Sequence, residues 1–125
     1  MRFWLALAVL VPLASTAQAD GDPLQGKKVF NKCSACHDGK AANNRVGPYL
    51  VGVVGRPAAS VESFNYSDAM KAAGGAGLVW DEETLTKYLR APKAVVPGTK
   101  MAFPGLKKDE EIADVIAWLK ADPKP

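Results

Sequence analysis

Apolar positions along the chain fall into helical stripes separated by long breaks. From Lys27 a helical spacing begins, with Val29, Phe30 and Cys33 at i, i+1 and i+4. Cys33, Cys36 and His37 continue that face at intervals of three and four if the turn persists. "YSDAMKAAGG" (66–75) predicts a short helix capped by Ser67 and closed by glycine. "DEETLTKYLRAP" (81–92) predicts another. Asp81 is its N-cap, acids fill its first turn, Leu85, Tyr88 and Leu89 form its stripe, and Pro92 ends it. The clearest helix runs from Asp109 to Ala121, where Ile112, Val115, Ile116 and Leu119 lie at i, i+3, i+4 and i+7 beside Trp118.

Between these stripes the chain reads as loop. "GKAANNRVGPYLVGVVG" (39–55) is rich in glycine, and its "YLVGVV" lacks a partner strand. "VVPGTKMAFPGL" (95–106) carries Pro97 and Pro104 and cannot be helical. The expected fold class is therefore all-α, with about four short helices and long loops. Such a chain has few side chains for a core, and loops of that length need a partner to order them. A large apolar cofactor at the centre would meet both needs. The terminal "DPKP" reads as a frayed tail.

The start of the chain changes the domain picture. Arg2, the apolar run "FWLALAVLVPLA" (3–14) and the small residues "AQA" (17–19) have the layout of a secretory signal peptide. The run is shorter than the roughly 20 residues of a membrane span. Residues 1–19 are expected to be removed after Ala19, with an uncleaved anchor as the alternative, leaving 20–125 as one domain in the periplasm. Composition is that of an ordinary folded protein, with 48% hydrophobic and 23% charged residues. The net charge of +3 gives no case for a nucleic-acid ligand.

Both cysteines and the single histidine sit in "NKCSACHDGK" (31–40). In an oxidising compartment two cysteines suggest a disulfide, but a loop with two residues between them removes little chain entropy. A zinc site would need a carboxylate such as Asp38 as its fourth ligand. A redox dithiol would be expected beside a βαβ pattern, and none is visible. "CSACH" matches C-x-x-C-H, the attachment pattern of c-type haem. Thiols one turn apart can add across the two vinyl groups, and the adjacent histidine then lies under the iron. After leader removal the remaining thioethers are Met70 and Met101. Met70 has the spacing of a core residue. Met101 lies in the proline-bracketed "PGTKMAFPG" and is the better second axial ligand.

Along essentially the whole mature chain the sequence resembles the class I cytochromes c, in particular the bacterial cytochrome c2 / c550 group close to mitochondrial cytochrome c. The matching pieces are "GKKVFNKCSACH", "RVGPYLVGVVGR", "FNYSDAM", "GLVWDEETLTKYLRAPKAVVPGTKMAFPGLKK" and "DVIAWLK". The resemblance implies a small cytochrome c fold around one covalent haem c. Cys33 and Cys36 would carry the thioethers, His37 and Met101 the axial bonds, and the Pro48 carbonyl the other ring nitrogen of His37. It also implies that Tyr88 lies near the Met101 sulfur. Arg56, Tyr66, Trp80 and Thr99 would surround the haem propionates, and Gly26, Phe30 and Trp118 would join the first and last helices. Pro104 stands where the group often has alanine.

The implied function is one-electron transfer, not enzymatic catalysis, by a monomer shuttling between redox complexes. A quinol-oxidising complex, a terminal oxidase, a photosynthetic reaction centre or a dehydrogenase would suit as partner. Lys28, Lys32, Lys93, Lys100 and Lys107 flank the segments expected at the haem edge, whereas acids concentrate at 81–83 and 109–111. That split would steer the protein onto acidic docking surfaces. The competing expectation is a haem enzyme or ligand-binding haem protein with an open sixth site.

Overall fold

The computed structural model describes residues 21–125, so the expected leader at 1–19 lies outside the described residues. Five helices follow in order: α1 (Pro23–Phe30), α2 (Asp68–Gly75), α3 (Glu82–Arg90), α4 (Pro92–Val95) and α5 (Asp109–Lys120). Among the described residues there is no strand, and one isolated antiparallel bridge joins Pro57 to Val79. Nor is any helix among them long and apolar enough to cross a membrane.

Local chemistry explains most boundaries. Ser67 and Asp81 cap α2 and α3, their side chains accepting from the N–H groups of Met70 and Thr84. α1 starts earlier than the apolar spacing from Lys27 suggests. Asp22 caps it by accepting from the Leu24 N–H, and Pro23 supplies a first-turn residue that needs no hydrogen bond. Leu24, 61% exposed, adds nothing to the stripe, which is why periodicity missed this turn. Pro92 does more than end α3: it opens the single-turn α4, which adds one short turn to the four helices that the sequence pattern displays among the described residues.

α1 packs across α5, and that crossing joins the first and last helices of the described residues. A Cβ on Gly26 would sit 1.9 Å from the Asp114 carbonyl oxygen, so only glycine permits the approach. Phe30 meets Trp118 with ring centroids 4.4 Å apart. Ile112, Val115, Ile116 and Leu119 are all buried, each stabilising the fold by roughly 1.5–3 kcal/mol. The Asp114 side chain, also buried, accepts the Asp22 N–H at 2.7 Å.

The tail is not frayed. Lys124 Nζ donates to the carbonyls of Leu119 and Ala121 at 3.0 Å each and lies 5.4 Å from the Trp118 ring centre. It closes the carbonyl end of α5, where a cation is favoured.

Candidate functional site

Beyond Phe30 the backbone keeps turning. Cys33 and Ser34 N–H groups donate to Phe30 O, and Cys36 and His37 N–H groups donate to Cys33 O. Helical spacing therefore does carry the two thiols and the imidazole onto one short turned segment. Both cysteines are free thiols, so the disulfide is not formed. Asp38, the candidate fourth zinc ligand, spends its carboxylate on the N–H groups of Lys40 and Ala41. No group of three or more His, Cys, Asp or Glu among the described residues is placed to hold a metal ion. Burial pushes the Cys33 thiol above its ordinary 9.0, with Lys32 opposing and Cys36 adding, so it is uncharged at neutral pH.

His37 is fixed by a loop that the motif does not include. Its Nδ1 lies 2.7 Å from Pro48 O. A carbonyl only accepts, so Nδ1 carries the proton and the neutral ring presents a lone pair at Nε2. Burial pulls the His37 pKa below 6.5. The Pro48 carbonyl opposes this, and Arg45 and Arg56 add to it. The ring is thus neutral at pH 7, the form that ligates a metal. Gly47 packs flat against it: a Cβ there would lie 2.3 Å from His37 Cε1. Arg45 reaches across the same segment, Nη2 donating to the carbonyls of Ser34 and His37. Residue patterning did not single out Gly47 or Arg45, because both act by approach through space.

The second half of the site is the loop after α4. The Met101 N–H donates to Thr99 Oγ1 at 3.2 Å, and the Tyr88 hydroxyl lies 3.7 Å from Met101 Sδ. Tyr88 is buried against Trp80, with ring centroids 4.6 Å apart. Burial raises the Tyr88 pKa above 10.0, against a hydrogen bond with Thr99, so the hydroxyl keeps its proton for the sulfur. The Leu106 N–H donates to Leu89 O at 2.7 Å and ties the loop to α3.

Arg56, half-buried, follows directly on the glycine-rich loop. Its Nη2 donates to Tyr49 O at 3.0 Å and its guanidinium lies 5.3 Å from the Tyr49 ring centre, but its buried Nε has no partner. The Tyr66 hydroxyl accepts from the Val61 N–H at 3.1 Å, leaving its own proton to donate.

These residues fit a haem. An orphaned buried guanidinium nitrogen suits an anionic propionate, a neutral imidazole and a thioether suit iron, and two free thiols suit the vinyl groups. Leu50, Val54, Met70, Leu78, Val95 and Phe103 come from several segments, pack against the core and remain only half covered. A flat apolar group seated among them would complete their burial.

Comparison with known proteins agrees with that chemistry. Residues 24–121 match the family described as Cytochrome c. The chain is 55% identical over 107 residues to cytochrome c2 of Rhodomicrobium vannielii, covering 85% of this chain and 83% of that protein. It is 49% identical over 109 residues to cytochrome c2 of Agrobacterium tumefaciens, covering 85% and 98%. Among solved structures, cytochrome cH from Methylobacterium extorquens superposes with a TM-score of 0.73 at 44% identity, covering 80% of this chain and 98% of that one.

Proposed function

Since the chain belongs to the cytochrome c family, with one covalently attached haem c and electron transfer as its role, we propose that it is a periplasmic carrier with His37 and Met101 as axial ligands. Cys33 and Cys36 provide the thioethers. The observation that carries this reading is the His37 ring held through Nδ1 by Pro48 O at 2.7 Å, which leaves Nε2 to ligate.

The haem supplies a site that accepts and releases a single electron. The protein's part is to keep that site's surroundings the same in both states. Pro48 O fixes the tautomer and plane of His37 and increases its basicity. Thr99 and the tie from Leu106 to Leu89 hold the Met101 loop, and the Tyr88 hydroxyl orients the sulfur. With His37 and Met101 as its ligands, the haem would have no position left for oxygen, peroxide or substrate. Trp80, Tyr66 and Arg56 would supply donors for the propionates, with Thr99 joining them only if its hydroxyl proton turns away from Tyr88, and the apolar surround would disfavour the more highly charged ferric state. Leader removal after Ala19 and export complete the proposal.

Charge on the surface supports recognition of acidic redox partners. Among the described residues Lys28, Lys93, Lys100 and Lys107 are exposed and form no ion pair, whereas Lys32 lies 3.6 Å from Glu111. The expected division between lysines and acids is thus incomplete at Lys32, and the other four carry the steering.

The test is mass spectrometry of the haem-bearing peptide spanning 33–37 from periplasmically matured protein, with a redox titration of the same sample. Both cysteines bound and a one-electron curve are the expected result. A haem bound through neither thiol would refute the thioethers at Cys33 and Cys36, and rapid turnover of peroxide by the native protein would favour the open-site reading.

A further inference from the structure

The turned segment 31–37 ends in carbonyls that have no helix beyond them to supply donors. Loop 45–47 supplies them. The Gly47 N–H donates to Cys36 O at 2.8 Å, and Arg45 Nη2 donates to His37 O at 2.6 Å and also to Ser34 O. Arg45 closes its own loop through an N–H to Gly47 O contact of 2.9 Å. A lysine ammonium on a flexible stem would not reproduce this, because the planar guanidinium brings its donors to both carbonyls in one fixed orientation.

We propose that Arg45 is a positioning residue for the proximal ligand: it splints the "CSACH" backbone and holds a permanent positive charge at the His37 carbonyl, raising the reduction potential. This rests on His37 being an axial ligand. Two consequences follow from the geometry. The splint fixes where the His37 Cα sits, so that the ring meets Pro48 O and Gly47 together. The charge acts on the site's redox equilibrium, because oxidation adds positive charge next to a cation that cannot lose its own proton. Arg45 is solvent-exposed, so salt weakens the effect. Arg45 therefore differs from the docking lysines: its charge is spent on the protein's own backbone.

The experiment uses the haem-loaded protein and four variants: Arg45→Lys, Arg45→Gln, Arg45→Ala and, as a charge-loss control on α2, Lys71→Gln. Reduction potentials are measured at low and high salt, and hydrogen exchange of the His37 Nδ1–H is followed by NMR. Arg45→Gln and Arg45→Ala are expected to lower the potential at low salt more than Lys71→Gln does, with the gap narrowing at high salt. Arg45→Lys should preserve most of the potential, yet exchange the Nδ1–H several-fold faster than wild type. A potential for Arg45→Gln equal to that of wild type or of Lys71→Gln overturns the electrostatic role. Unchanged exchange in Arg45→Ala overturns the splint. Absence of shifted imidazole ring signals in the wild-type protein overturns His37 ligation itself, a different failure from either.

Discussion

Replacing Gly47 by alanine puts a methyl group where the His37 ring already lies. The added Cβ would stand 2.3 Å from Cε1 and 2.7 Å from Nδ1. Ordinary carbon contacts begin near 3.5 Å, so ring or loop must move by about 1 Å. Backbone on both sides resists: the Gly47 N–H is committed to Cys36 O, and Pro48 follows directly. A retreat of that size stretches the 2.7 Å contact between Nδ1 and Pro48 O past hydrogen-bonding range. The lost bond costs about 0.5–1.5 kcal/mol, and overpacking a filled site costs about 1–3 kcal/mol. Together these predict a destabilisation of about 2–4 kcal/mol, on the order of 10–20 °C in Tm for a domain of this size. Thermal unfolding of the haem-loaded variant, followed by circular dichroism, reads it. A Tm within about 2 °C of wild type, with the His37 Nδ1–H signal unshifted, would refute the claim that Gly47 sets the position of the ring.

Three other perturbations probe separate parts of the account. Tyr88→Phe removes the hydroxyl 3.7 Å from Met101 Sδ. Without that donor the sulfur is more basic and ferric iron better supported, so the reduction potential should fall; an unchanged redox titration argues against the contact. Lys124→Ala opens the carbonyl end of α5 and should cost about 1 kcal/mol in denaturant titration, whereas no change would return 122–125 to the status of a passive tail. Asp81 ionises more readily than its ordinary 3.8, chiefly because the Thr84 N–H donates to it. Its contribution is present above 3.8 and lost as pH falls through the lower folded value. Asp81→Asn should therefore flatten the decline of Tm across about pH 5 to 2, and an equally steep decline would count against this cap.

The parts of the fold that sequence displays are those governed by neighbours along the chain. α5 and α3 show their stripes directly, and Ser67 and Asp81 announce their helices because a cap acts within three residues. The first turn of α1 did not show, since Leu24 faces solvent and Gly26 contributes no apolar side chain, its role being set by α5. Pro92 has two compatible meanings, the end of one helix and the start of the next, and only the observed backbone separates them. The site divides the same way. Cys33, Cys36 and His37 form a local motif, and Met101 emerges from a short inventory of thioethers. Arg45 and Gly47 belong to a loop that becomes part of the site only by folding back on the turned segment. Their chemistry could not be read before that approach was known. Lys124 escaped notice for the same reason.

The most direct test of the central claim is the absorption spectrum of the matured ferric protein in the far red, where methionine–iron ligation gives a weak band. Wild type and Met70→Ala are predicted to show the band, and Met101→Ala to lose it while keeping a haem bound through Cys33 and Cys36. A band that survives in Met101→Ala, or is missing from the wild-type protein, would contradict His37/Met101 ligation.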